Sequence, residues 1–210
     1  MQPKREDIDS RMITVLSDLV RCYIGFIARS HGIQNNYRST AGVSHYGFVP
    51  TDTMLVSDTL LRLFRHMGSA WNRHKFLDIG CGIGNVVRVA QIVGFDAYGL
   101  EYNKKIYDVA KDLIGKHCLF KGDMTSFKKY GEYDVLYYYI PIANYETMDK
   151  FAKELAEAMK CGAYVIPHGG TGHIFQESTE FESIKLEPEN SNHFFIYRKR
   201  GAANDEGADD

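Results

Sequence analysis

The sequence predicts an α/β domain with a mostly parallel sheet and helices on both faces. Three observations lead there. Short apolar runs alternate with amphipathic segments from residue 76 to residue 167. A glycine-rich turn, Gly80-Cys81-Gly82-Ile83-Gly84, joins the first apolar run to the first helical pattern. Gly94, Gly115 and Gly162 close the helical patterns that follow. Repeated β-α units of this kind imply parallel strands, because each crossover helix must pack back onto the sheet.

The elements follow in order. Residues 6–30 carry Ile8, Met12, Val15, Leu16, Leu19, Tyr23 and Ile27 at helical spacing, with charges on much of the other face. That helix reads either as a cap on the domain or as a recognition or dimerisation surface. Residues 31–50, rich in Gly, Asn and Ser, read as a loop. Thr51 or Asp52 is placed to cap a helix running to about Met67. Strand 76–80 leads to helix 84–93, and strand 95–101 to helix 103–114. Strand 117–121 leads to a short helix near 124–129. Strand 133–140 leads to helix 145–160, and strand 163–167 follows. The glycines after it, at 169, 170 and 172, precede no evident helical pattern. Runs 181–187 and 193–199, with residues 188–192 between them, read as a terminal antiparallel hairpin. Residues 201–210 are small and acidic and read as a disordered tail.

Composition narrows the function classes. The formal charge is −2, and without the four carboxylates of Asp205, Glu206, Asp209 and Asp210 the rest of the chain carries +2. That is no electrostatic footprint for a nucleic-acid binder. Cys22, Cys81, Cys118 and Cys161 are far apart and form no CxxC pair. Neither a zinc site nor a disulfide framework is indicated, and the expected compartment is the reducing cytoplasm. The first residues are too polar and acidic for a secretory signal. The apolar stretch 22–28 lies between Arg21 and Arg29 and is too short to span a bilayer.

The glycine turn carries the chemistry. Glycines take positive φ and lack a Cβ, so the chain turns sharply and a ligand approaches the backbone closely. Glu101 closes the next apolar run, where a carboxylate accepts hydrogen bonds from both hydroxyls of a ribose. Counting from Gly80, the sixth position of the dinucleotide fingerprint G-x-G-x-x-G is Asn85; here the glycines run G-x-G-x-G. No Gly-Lys-Ser/Thr follows, so this is no P-loop. Asp78, two residues ahead of the turn, suits a ligand with an ammonium group better than a pyrophosphate. S-adenosylmethionine has an ammonium, a sulfonium and a ribose, and no phosphate.

These residues resemble a known family. Asp78-Ile-Gly-Cys-Gly-Ile-Gly84 is similar to motif I of the Rossmann-like (class I, seven-β-strand) S-adenosylmethionine-dependent methyltransferases. Glu101 resembles their ribose-binding acid. Lys121-Gly-Asp-Met124 resembles the segment in which an Asp meets the adenine amino group and the next N–H meets the ring. The resemblance spans roughly residues 44–200. It implies a seven-stranded sheet ending in an antiparallel pair, and S-adenosyl-L-methionine as cofactor. The implied cofactor residues are Asp78, Gly80, Cys81, Gly82, Gly84, Glu101, Tyr102, Asp123, Met124 and Tyr139. Cys81 reads as a small turn residue rather than a nucleophile. The implied division is an N-terminal helix and loop over 1–45, a methyltransferase domain over 46–200 and a tail over 201–210.

Acceptor chemistry is less direct. In Tyr137-Tyr138-Tyr139-Ile140-Pro141, strand alternation puts Tyr137 and Tyr139 on one face and Tyr138 on the other. Tyr139, nearest the strand end, is a candidate to stabilise the sulfonium or orient an amine. Only Pro141 matches the Asn/Asp-Pro-Pro-aromatic motif of amino-directed methyltransferases. Tyr46-Gly-Phe-Val-Pro-Thr51 resembles the non-SET protein-lysine methyltransferases, which implies that Phe48 to Thr51 form a lid over the cofactor; read by itself, the stretch is an ordinary turn before a helix. A protein lysine is therefore the acceptor implied. Methylation of a small molecule or RNA, and a non-catalytic cofactor-binding module acting through the N-terminal helix, stay open. His168 is a candidate general base for a hydroxyl acceptor. His168 and His173 are not read as a metal site.

Overall fold

The computed structural model describes residue 26 and residues 51–68, 74–142, 144–186 and 194–201. The predicted N-terminal helix, the loop at 31–50, the stretch before Thr51 and the acidic tail lie outside the described residues, apart from helical Phe26 and the loose end at Gly201. Among the described residues, no helix is long and apolar enough to cross a membrane.

A seven-stranded sheet organises the chain. Its strands are β1 Lys75–Ile79, β2 Asp96–Glu101, β3 Leu119–Lys121, β4 Val135–Tyr139, β5 Tyr164–His168, β6 Phe181–Ser183 and β7 Tyr197–Lys199. They lie in the order β3-β2-β1-β4-β5-β7-β6. The pairs among β1 to β5 are parallel; β7 runs antiparallel to both β5 and β6. The predicted parallel sheet and closing hairpin are both present. The connecting helices are α1 Thr53–His66, α2 Asn85–Val93, α3 Lys104–Ile114, α4 Tyr145–Ala158 and α5 Gly172–Gln176.

Period-two alternation sorts the sheet into two cores. Phe76, Ala97, Val135, Tyr137 and Ile166 pack with Leu60 and Leu63 of α1, Val87 and Ala90 of α2, and Ala110 of α3. Leu77, Ile79, Leu100, Leu136, Tyr138 and Val165 pack on the other face with Phe151, Ala152 and Leu155 of α4. Buried on both faces, the central strands read as apolar runs, as parallel strands do. Side-chain caps set the starts of α1 and α3. Asp52 Oδ1 accepts from the N–H groups of Met54 (2.9 Å) and Leu55 (3.2 Å). Asn103 Oδ1 does the same for Lys105 and Ile106.

Two expectations fail locally. The helix expected near 124–129 is a single turn at 124–126, with a 3-10 turn at Tyr130–Glu132. Asp123 closes that turn: its carboxylate accepts from Thr125 N–H at 2.8 Å and its carbonyl accepts from Ser126 and Phe127. Phe127 then packs between Phe120 and Tyr130, which draws the chain back to the sheet. Conversely, the glycines after β5 do lead into a helix, the five-residue α5, whose Phe175 is buried against Phe181 and Tyr197. Helix α4 stops at Ala158, two residues early. Lys199 Nζ donates to the carbonyls of Ala156, Glu157 and Met159 there.

Gly84 starts α2 with φ +86°, and a Cβ there would lie 2.5 Å from Ile114 Cδ1. Gly84→Ala combines backbone strain with a core clash. It is expected to destabilise the fold by about 1–3 kcal/mol in urea denaturation.

Candidate functional site

Strand order reverses between β1 and β4, since the chain runs outward from β1 through β2 and β3 and then returns to β4 on its other side. Ligands bind beyond the carboxyl ends of strands at such a point. The turn at 80–84 leaves β1 there. Leu100 O accepts from both Gly80 N–H (2.8 Å) and Cys81 N–H (3.0 Å). Glu101, the last residue of β2, is buried. Its Oε2 accepts from Gly82 N–H at 3.0 Å and its Oε1 from Asn103 N–H at 2.6 Å. Burial pushes this carboxyl above the usual carboxylate range, while the N–H groups of Asn103 and Gly82 pull it back. A carboxylate has about four acceptor positions. Gly82 and Asn103 each take one, and the Tyr102 backbone also lowers this carboxyl's pKa.

Asp78 is 3% exposed. Among the described residues no donor meets its carboxylate. Burial, then the Glu101 charge, push its carboxyl well above the usual range. An isolated buried carboxylate is costly unless a cation or donor reaches it, so Asp78 fits a ligand ammonium. Its neighbour in register is Gly99, which places no side chain beside it. A Cβ at Gly99 would lie 2.6 Å from Cys81 Sγ. Cys81 fills that gap as a buried thiol whose pKa burial raises, which suits a packing residue rather than a nucleophile.

A cleft opens on the opposite side of the turn. Its walls are Gly80, Leu100, Tyr102, Gly122, Asp123, Met124 and Thr125 on one side, and Pro141, Ile142, Asn144 and Thr147 on the other. Of the expected cofactor residues, Gly80, Tyr102, Asp123 and Met124 line it. Asp78, Cys81, Gly82, Gly84 and Glu101 form the buried frame of the turn. Lys121 Nζ sits over the exposed Tyr102 ring, 5.5 Å from its centre. Pro141 and Ile142 fall in the stretch after β4 where the site was expected, whereas Thr125, Asn144 and Thr147 were not anticipated. Asn144 caps α4, accepting from Thr147 N–H at 2.9 Å, and its place in the cleft follows from the chain path.

Tyr139 and His168 do not line that cleft. They pair in register on β4 and β5, on the sheet face that carries α1 to α3. Their rings stack with centres 3.9 Å apart, and Phe194 meets His168 edge-on at 4.4 Å. His168 Nδ1 lies 3.0 Å from Tyr137 Oη, which lies 3.1 Å from Oγ1 of buried Thr51. Burial lowers the His168 pKa below the usual imidazole value and raises the Tyr137 phenol. On the other face, Tyr138 Oη bonds Thr171 Oγ1 and anchors the loop after β5. His173 is separate: Nδ1 lies 3.2 Å from Gly170 O and Nε2 3.6 Å from Asp149.

The chain between these two regions is strained. Ile140 has φ +32°, rare for a β-branched residue. Its N–H donates to His168 O at 3.2 Å. The turn fits because its neighbours are glycines: a Cβ at Gly80 would come within 2.9 Å of Pro141 Cβ, and one at Gly169 would collide with Ile140.

Residues 77–166 match the family described as methyltransferase domain. A curated relative, the histone-lysine N-methyltransferase specific for H3 lysine-79 from Dictyostelium discoideum, is 42% identical over 57 residues. That stretch is 27% of this chain and spans only 3% of the relative's length. Among solved structures, an RNA methyltransferase from Salinibacter ruber in complex with S-adenosyl-L-homocysteine aligns with a TM-score of 0.51 at 20% identity, covering 77% of this chain and all (100%) of that one. Cofactor-bound Rv0187 from MTB aligns with a TM-score of 0.56 at 12% identity, over 96% of this chain and 100% of that one. At these identities the likeness is one of fold, the Rossmann-like methyltransferase fold that the sequence predicts.

The raised Asp78 pKa has a defined sign in stability. Between the ordinary carboxylate value of 3.8 and the higher folded value, the native state holds the proton more tightly than the unfolded state. Stability from this group therefore falls as pH rises through that window. Asp78→Asn removes the titration. The stability difference between variant and wild type is expected to shift in the variant's favour as pH rises, by at most about 1.4 kcal/mol per pH unit, in urea melts from pH 4 upward. A difference that is flat with pH contradicts it.

Proposed function

We propose, for a chain whose residues 77–166 carry a methyltransferase domain, that it transfers a methyl group from S-adenosylmethionine to an amine, with a protein lysine as the acceptor. The observation that carries the cofactor half is the Glu101 carboxylate, buried at the end of β2 and bonded to the glycine turn through Gly82. The 57-residue stretch at 42% identity to a histone-lysine methyltransferase supports the acceptor half.

The residues divide the work. Glu101 takes the ribose hydroxyls, and the unpaired Asp78 takes the ammonium. Asp123, which lines the cleft beside Met124, would take the adenine amino group. Bound S-adenosylmethionine supplies an electrophilic methyl group on a sulfonium. What remains for the protein is to hold donor and acceptor aligned and to deliver a lysine as a neutral amine. Outside the cleft, at the carboxyl ends of β4 and β5, Tyr139 and His168 form with Phe194 a rim that is aromatic and partly buried. Desolvation on such a surface lowers an amine's pKa without a dedicated base.

Calorimetry tests the cofactor half. S-adenosylmethionine and its demethylated product both bind wild type, and Glu101→Ala weakens each by roughly 10- to 100-fold, as loss of charge-assisted hydrogen bonds implies. Absence of binding of either to wild type sinks the reading. For the acceptor, labelled-methyl transfer into extract of the native host is expected to leave label that protease releases. Release by nuclease points to RNA, and label in the small-molecule fraction points to a metabolite; either overturns the lysine assignment. Tight cofactor binding with no transfer to any fraction indicates a regulatory module.

A further inference from the structure

His168 is held by more contacts than a rim residue needs. Tyr139 stacks on it, Phe194 meets it edge-on, and Nδ1 is bonded to Tyr137 Oη. Tyr137 Oη is bonded in turn to Thr51 Oγ1, from the residue just ahead of the Asp52 cap of α1. Three separate parts of the chain thus meet in one short hydrogen-bonded row on one face of the sheet. Nε2 has no partner among the described residues, and it is not sealed from solvent.

Proton counting gives the row a direction. Each hydroxyl has one proton to donate. Burial keeps the Tyr137 phenol protonated and His168 neutral near pH 7. Between a neutral phenol and a neutral imidazole, the phenol O–H is the stronger donor and the ring nitrogen the stronger acceptor. Tyr137 then donates to Nδ1, and Thr51 donates to Tyr137. With Nδ1 accepting, the imidazole's single proton lies on Nε2. A general base at Nε2 would need the reverse: Nδ1–H donating to Tyr137, and Tyr137 donating to Thr51.

We propose that Thr51 and Tyr137 hold His168 as an Nε2–H donor at the rim of the site, and that His168 binds an oxygen of the methyl acceptor rather than taking its proton. The oxygen that fits is a carbonyl or carboxylate of the peptide bearing the lysine, and that part rests on the lysine reading above. Thr51 and Tyr137 are positioning residues that act through His168.

Long-range proton–nitrogen spectra of the full chain with labelled histidine read the tautomer without cofactor or acceptor. His168 is expected in the Nε2–H form, and Tyr137→Phe is expected to mix the two forms. An Nδ1–H form in wild type overturns the proposal, whether or not the protein proves to be a methyltransferase. The second arm uses labelled-methyl transfer to the protein acceptor. His168→Ala raises the acceptor KM about tenfold, the effect of one hydrogen bond, with kcat little changed. His168→Gln, whose amide N–H replaces Nε2–H, recovers most of the loss. His168→Asn, whose amide sits at the Nδ1 position, does not. Equal loss in the Gln and Ala variants overturns the donor role. Cofactor binding measured by calorimetry on the same variants separates that result from failure of the cofactor site.

Discussion

The site depends on one buried carboxylate. Glu101 ties the glycine turn to the start of α3 through Gly82 and Asn103, and hydrogen bonds to a charged group are worth about 1.5–3 kcal/mol each. Leu100, beside it, holds the first two N–H groups of the same turn. The end of β2 therefore shapes the loop that leaves β1. A fold with this frame presents a turn already formed, and a ligand meets it without ordering it first.

Sheet geometry then divides the surroundings. Alternation places Asp78, Glu101, Tyr137, Tyr139 and His168 on the face covered by α1 to α3. Leu100 belongs to the other face, where the cleft opens toward Asn144 and Thr147. The Ile140–Pro141 turn bridges the two regions, wedged between Gly80 and Gly169. A strained residue held between two glycines is over-determined by its surroundings, as strain at functional sites usually is.

Much of the frame was legible in the chain. The five parallel strands, the closing pair and helices α1 to α4 stand within a few residues of their expected places, because each rests on local signals: apolar runs, the cap at Asp52 and glycine stops. The failures are also local in cause. At 124–129 the Asp123 carboxylate closed a turn that propensity would have extended. At 172–176 a helix too short to show a period is held by burial of Phe175. Asp78 and Glu101 were visible as acids beside glycines. Thr147 carried no signal, since an ordinary helix residue becomes a cleft wall only through its neighbours.

The order of apolar and glycine residues determined the fold class and the domain's chemistry, because strand, turn and cap are short-range events that neighbouring residues decide. Tertiary structure decided which side chains meet. Asp78 lies beside Gly99, Cys81 fills the space that glycine leaves, and Thr51 reaches Tyr137 across 86 residues of chain. The environment of His168 follows the same rule: its stack on Tyr139 and its bond to Tyr137 come from the parallel register of β4 and β5. Register is set by the packing of whole strands, so the state of one histidine could be read only once the sheet had closed.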